Sequence, residues 1–287
     1  RAVQLTKVGL FIKAKTKRNS VKINHYNVVS ASFRLPDYKE IGNLFDVQFF
    51  SKDFSDLLQD VWKDLQQAHK FGSLLRIDEK FEDKKKELNA ELGDAQLSLF
   101  TYEKAVEIDL FANNFYEKLS EAIQKYAVDE VKKYFAEVAY EGMMYLKIMT
   151  DRYDVVASNP PYTDSSAYSG TELALFLENN YKKPMKFIGN LYASFYKRNY
   201  SFLLDNGFLA MIHPMTFMYI PTFEDMIKHI IQNTSINVFV EYGLSNLFGS
   251  TMVDPSFYVL EKKKSNRENI PFISLDQYTR TAEEKFK

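Results

Sequence analysis

The chain has 287 residues, 37 basic against 38 acidic side chains for a net charge of −1, a hydrophobic fraction of 46% and no cysteine. That length can bury a sizeable core. The balanced charge excludes a global field drawing the chain onto nucleic acid, and the missing thiols exclude disulfide and thiolate chemistry. No apolar run approaches the ~20 residues of a membrane span, so the expected setting is cytoplasmic, with no membrane partner.

In chain order, residues 2–14 place apolar side chains at helical spacing with lysines opposite, predicting an amphipathic helix. Residues 26–33 alternate β-branched and aromatic side chains, which predicts a strand ended by Pro36. Residues 39–70 suit a helix with Leu57, Leu58, Val61 and Leu65 on one face, and residues 72–77 suit a short strand. Residues 78–150 carry long, densely charged helical patterns and predict a helical insertion. From Tyr153 the rhythm changes. Strands are expected at Asp154–Ala157, Phe208–His213, Ile236–Glu241 and Phe257–Glu261, with helices near 171–181, 187–204 and 222–232. Such alternation is the signature of βαβ units and a mostly parallel sheet. The Asn206-Gly207 pair marks the turn into the second strand, and the polar stretch after Lys262 suits a linker.

The chemistry sits at the end of the first of these strands, in Tyr153-Asp-Val-Val-Ala-Ser-Asn159-Pro160-Pro161-Tyr162. A polar turn at the carboxyl end of a buried strand occupies the edge where open α/β sheets bind ligands. Two prolines fix φ and remove two donors, leaving nearby carbonyls to face a ligand. An exocyclic amine on an aromatic base is a poor nucleophile because its lone pair is delocalised into the ring. Two acceptors, the Asn159 side-chain oxygen and the Pro160 carbonyl, can hold its hydrogens and draw the nitrogen towards a tetrahedral geometry. Tyr162 offers a face on which the base can stack. Catalysis then comes from positioning and charge stabilisation and needs no strong base. The plainer alternative is a structural turn after a strand. The four histidines are scattered, with no metal-ligand or nucleophile–base spacing.

Asn159-Pro160-Pro161-Tyr162 resembles the catalytic motif of the N6-adenine and related amino methyltransferases. Asn190-Leu-Tyr-Ala-Ser-Phe195, Asp205-Asn-Gly-Phe-Leu-Ala-Met-Ile-His-Pro214 and Glu241-Tyr-Gly-Leu-Ser-Asn-Leu-Phe248 are similar to segments of the TaqI-like γ class. The opening helix and Phe71-Gly-Ser-Leu-Leu75 are similar to the large BREX-type and type II restriction-modification methylases. The resemblance implies an α/β, Rossmann-like methyltransferase sheet lacking its N-terminal strands, with a helical insertion. It divides the chain into a partial N-terminal part of the methyltransferase domain (1–77), the insertion (78–150), the catalytic part (151–262) and a linker towards a target-recognition domain (263–287). The implied reaction moves a methyl group from S-adenosylmethionine to adenine N6 in double-stranded DNA. Asn159, Pro160, Pro161 and Tyr162 would be catalytic, Tyr162 and Phe248 would enclose the flipped base, and Phe195 would border the cofactor's adenine.

The family's glycine-rich loop and the acidic residue that follows it have no counterpart in the sequence, and Gly72 stands where several relatives carry Asp or Asn. A fragment with an incomplete cofactor pocket, inactive alone, is therefore expected, working with other restriction or phage-defence subunits. Lys182, Lys183, Lys186, Lys197 and Arg198 are candidate phosphate contacts beside the plainer reading of solvated surface. Competing functions are methylation of RNA or a protein glutamine, and an inactive methylase-fold scaffold gripping DNA. The long insertion and the Phe195 and Phe248 segments favour DNA adenine over RNA or glutamine, and the intact motif disfavours the scaffold.

Overall fold

A computed structural model describes residues 2–23, 26–35, 37–38, 52–83, 86, 130–243, 254–265 and 269–275. The chain divides into two compact units, Arg1–Asp151 and Arg152–Lys287. In the first, α1 (Ala2–Lys17) forms where helical spacing predicts it, yet none of its residues is buried, and Leu5, Val8, Phe11 and Ile12 are exposed. Helix α2 (Lys52–Gln66) behaves as its pattern demands: Leu58, Val61, Trp62 and Leu65 recur at helical spacing and are all buried. Helix α3 (Glu130–Thr150) buries Ala139, Met143, Leu146 and Met149 on one stripe.

Two expected strands of this unit are absent. Residues 26–35 form no strand. Ser30 and Ser32 instead close a turn, with the Ser32 N–H donating to Ser30 Oγ at 3.2 Å, and Phe33 packs edge-on to Tyr145 at 5.4 Å. Alternation makes a strand only where a neighbour completes the ladder, and none pairs with this segment among the described residues. Gly72–Leu74 is a 310 turn. Gly72 takes φ +50°, and its carbonyl accepts from the Tyr145 hydroxyl at 2.7 Å. Residues 77–83 are helical, while the helical readings of 39–51, 84–85 and 87–129 lie outside the described residues.

The second unit is an α/β layer. Its strands are β1 (Tyr153–Ser158), β2 (Leu203–Pro214), β3 (Ser235–Glu241), β4 (Pro255–Glu261) and β5 (Phe272–Ser274). Helices α4 (Glu172–Tyr181) and α5 (Leu191–Ser201) separate β1 from β2, and α6 (Glu224–Asn233) separates β2 from β3. The sheet order is β1-β2-β4-β3-β5.

The sheet is mixed rather than mostly parallel. The β1–β2 and β3–β5 pairs run parallel, whereas β4 lies antiparallel between β2 and β3. Helices lie between β1 and its parallel neighbour β2, as a parallel crossover requires, whereas β4 runs back along both β2 and β3. Residue 272 onwards, in the stretch read as polar linker, supplies β5. Leu209, Met211, Phe239, Tyr258 and Leu260 form the buried layer along the sheet. No helix among the described residues is long and apolar enough to cross a membrane.

Candidate active site

Strand β1 pairs with β2 through Ser158 opposite Met211, and the chain leaves the sheet at Asn159. Pro160 is buried, Tyr162 half-buried, and Asn159 and Pro161 are exposed. The Tyr162 hydroxyl donates to Asn159 Oδ1 at 2.7 Å and lies 3.3 Å from the Ile212 carbonyl of β2. Burial pushes the Tyr162 phenol above its ordinary pKa, so it stays a donor at neutral pH. An amide oxygen has two lone pairs. One takes the Tyr162 proton, which fixes the amide's orientation, and the other is available to an incoming N–H.

The strand-to-helix turn is tied down immediately beyond the motif. The Leu191 N–H donates to the Thr163 carbonyl at 2.9 Å, Asn190 Nδ2 to Asp164 Oδ1 at 2.6 Å, and the Ser165 N–H to the Gly189 carbonyl at 3.2 Å. Asn190 also caps α5, its Oδ1 accepting from the Tyr192 N–H at 3.3 Å. One side chain therefore starts a helix and holds the turn after the motif.

Further along, Tyr192 stacks on His213 with ring centroids 4.6 Å apart and planes within 2° of parallel, and on Phe223 at 5.1 Å. His213 is fully buried. Its Nδ1 lies 3.0 Å from the Pro214 carbonyl and its Nε2 3.0 Å from the Tyr258 hydroxyl. A carbonyl can only accept, so the proton sits on Nδ1 and Nε2 accepts from Tyr258. Burial lowers the His213 pKa to about 4, so the ring is neutral. His229 follows the same logic. Lys197 Nζ approaches its Nε2 at 3.3 Å and Tyr196 its Nδ1 at 2.8 Å, and burial followed by the Lys197 charge lowers its pKa to about 4. Both histidines are neutral framework groups, and among the described residues no His, Asp or Glu cluster is arranged to hold a metal ion.

Asn159, Pro160, Pro161 and Tyr162 lie consecutively in the irregular segment that leaves β1, with the Tyr162 hydroxyl reaching back to Asn159. Phe195 lies half-buried on α5, one helical turn beyond Leu191, and Phe248 lies outside the described residues. Arg198 is 1% exposed and stacks over Phe202 at 4.1 Å, so it is a core group, not a phosphate contact. Lys197 is drawn over the Phe187 and Tyr200 rings, and Lys182 pairs with Glu178. Sequence reasoning passed over Asn190, although an Asn before a helical run is a capping signal. It also passed over Tyr192 and His213, whose stacking no local pattern encodes. For S-adenosylmethionine, the Phe195 ring offers an apolar surface suited to an adenine moiety. No glycine-rich turn accompanies it, since no two glycines of the chain are closely spaced.

The chain is 26% identical over 110 residues to the adenine-specific methyltransferase BrxX of Escherichia coli O9:H4 (strain HS), a match covering 37% of this chain and 9% of that protein. Among solved structures it is similar to a nuclease-deletion mutant of the Type ISP restriction-modification enzyme LlaGI in complex with a DNA substrate mimic. That match has 11% identity and a TM-score of 0.41, over 98% of this chain and 26% of the other. It is also similar to a type I restriction-modification methyltransferase subunit from Streptococcus thermophilus, at 14% identity and a TM-score of 0.33, over 79% of this chain and 69% of that one. Residues 1–248 match a single family throughout, and the chain belongs to the Eco57I restriction-modification methylase family.

Proposed function

We propose that this chain carries the catalytic segment of an enzyme that methylates the N6 amino group of adenine in double-stranded DNA, with S-adenosylmethionine supplying the methyl group. The observation that carries the reading is the Asn159–Tyr162 segment at the carboxyl end of β1, with Asn159 Oδ1 held at 2.7 Å by the Tyr162 hydroxyl. In this reading the free lone pair of that oxygen and the Pro160 carbonyl accept the two amino hydrogens. The target base stacks on Tyr162, and Phe248 closes the opposite side of the base. Phe195 borders the cofactor. The target amine is buried in a duplex, so the adenine must be extruded from the stack. Nothing in the segment acts as a strong base, which suits a nitrogen that sheds its proton only after gaining a methyl group. Membership of a restriction-modification methylase family supports the same reaction class and, with it, partners from restriction or phage defence.

The test is base-resolved methylation of genomic DNA from cells expressing the full-length gene. Site-specific N6-methyladenine is expected, and Asn159→Ala should reduce it by roughly 10²–10³-fold, the scale of losing one well-placed charge-stabilising contact. Tyr162→Phe removes only the hydroxyl. It should cost about fivefold, since a net hydrogen bond contributes on the order of 1 kcal/mol. An adenine mark that survives Asn159→Ala undiminished would sink the assignment.

A further inference from the structure

Because β1 and β2 are parallel, their carboxyl ends emerge at the same edge of the sheet, with β2 running on from Met211, the partner of Ser158, to Pro214. The first delivers Asn159–Tyr162. The second ends at Pro214 and continues into two 310 turns, Met215–Met218 and Pro221–Phe223. This segment is firmly built. Met215, Phe217 and Phe223 are buried, and the Met215 N–H donates to the Asp254 carbonyl at 2.8 Å. The Tyr219 and Ile220 N–H groups both donate to the Thr216 carbonyl at 3.1 Å, and the Phe223 N–H to the Ile220 carbonyl at 3.0 Å. Between these anchors Met218, Tyr219 and Ile220 stand 42%, 72% and 43% exposed. Three consecutive large apolar side chains held up to solvent on a hydrogen-bonded support are unusual for a free surface.

We propose that Met218–Tyr219–Ile220 is a contact surface for the DNA bases flanking the extruded adenine, with Tyr219 stacking on a base face. The proposal rests on the reading of Asn159–Tyr162 as an amino-methylation site. Extrusion leaves the neighbouring bases without a stacking partner, and an aromatic face flanked by apolar side chains restores that contact for any base. The location fits this occupant, because the surface grows from the strand beside the catalytic segment and Tyr162 is itself within 3.3 Å of the Ile212 carbonyl, just before the strand's end. The charge fits as well. A chain of net charge −1 draws little from phosphate attraction, and stacking supplies contact energy that needs no charge.

The full-length enzyme is to be assayed on a duplex carrying its genomic methylation site, with 2-aminopurine in place of the target adenine as a fluorescent report of unstacking. Tyr219→Ala should weaken duplex binding roughly tenfold or more and suppress the fluorescence rise at saturating protein, while Tyr219→Phe keeps both. Thermal unfolding of the two variants should match the wild type. Wild-type binding and fluorescence in Tyr219→Ala, or equal losses in Ala and Phe, would overturn the stacking role while leaving adenine methylation standing. A wild-type enzyme that makes no N6-methyladenine overturns the reading of the active segment, and this inference with it.

Discussion

The hydroxyl of Tyr162 has one proton to give, and the nearer of its two acceptors is the Asn159 side-chain oxygen. The tetrapeptide reads as a turn in the sequence, whereas residues 159–163 follow β1 as an irregular segment with no turn, and the tie to Ile212 joins residues 50 apart and no local pattern records it. His213 is the opposite case. A lone histidine in an apolar strand carries no signal of role, and only its two partners reveal a neutral ring with its proton on Nδ1. That neutrality has a pH consequence. The unfolded histidine takes its proton near 6.5 and the folded one only near 4, so the unfolded state binds more protons between these values. Stability attributable to His213 is full above about pH 6.5 and is lost as pH falls towards 4. His229, lowered to about 4 as well, acts in the same window. Denaturant midpoints across pH 4–8 should therefore decline on the acid side in the wild type and decline less steeply in His213→Gln. Equal slopes would remove His213 from the account.

At the scale of elements, strands were legible through their runs of β-branched and aromatic side chains, although β1, expected to be buried, has no buried residue. Tyr153–Ser158, Ser235–Glu241 and Pro255–Glu261 each lie within a few residues of expectation. Helix α5 starts at Leu191 rather than near 187, because the Asn190 cap sets its first turn. The misread 26–33 segment has strand-like alternation but no partner strand among the described residues, and β5, only three residues long and exposed, is too short to leave a pattern. Packing between elements is similarly silent in sequence. A Cβ on Gly189 would overlap Thr222 Cγ2 and come within 3.3 Å of Phe223 Cε1, so the turn before α6 sits directly against the segment that ties down the catalytic loop. Gly189→Ala should destabilise the protein by about 1–3 kcal/mol. Adding Thr222→Ala, which deletes the overlapping methyl, should recover a large part of that loss in a double-mutant cycle followed by chemical denaturation. Strict additivity would show that the two segments do not press on one another.

For the second unit as a whole, sheet order and chain order disagree. Strand β4 is made after β3 yet lies between β2 and β3, pairing Phe208 with Glu261 on one side and Ser235 with Glu261 on the other. Strands β2 and β3 do not pair with each other, and β4 alone joins them. A chain cut before Pro255 should accordingly lose the sheet as a unit and go into inclusion bodies, rather than retain a smaller folded core. A soluble truncation with intact near-ultraviolet dichroism would contradict this. The arrangement also bears on how the unit comes into being on the ribosome. Strand β2 must wait through some forty residues of further synthesis before its second neighbour exists, and until then it presents an open edge of the sort that invites association with other nascent chains. Translation speed across 215–261, or access to a chaperone during that interval, should then govern the yield of active protein more than the stability of the finished fold does.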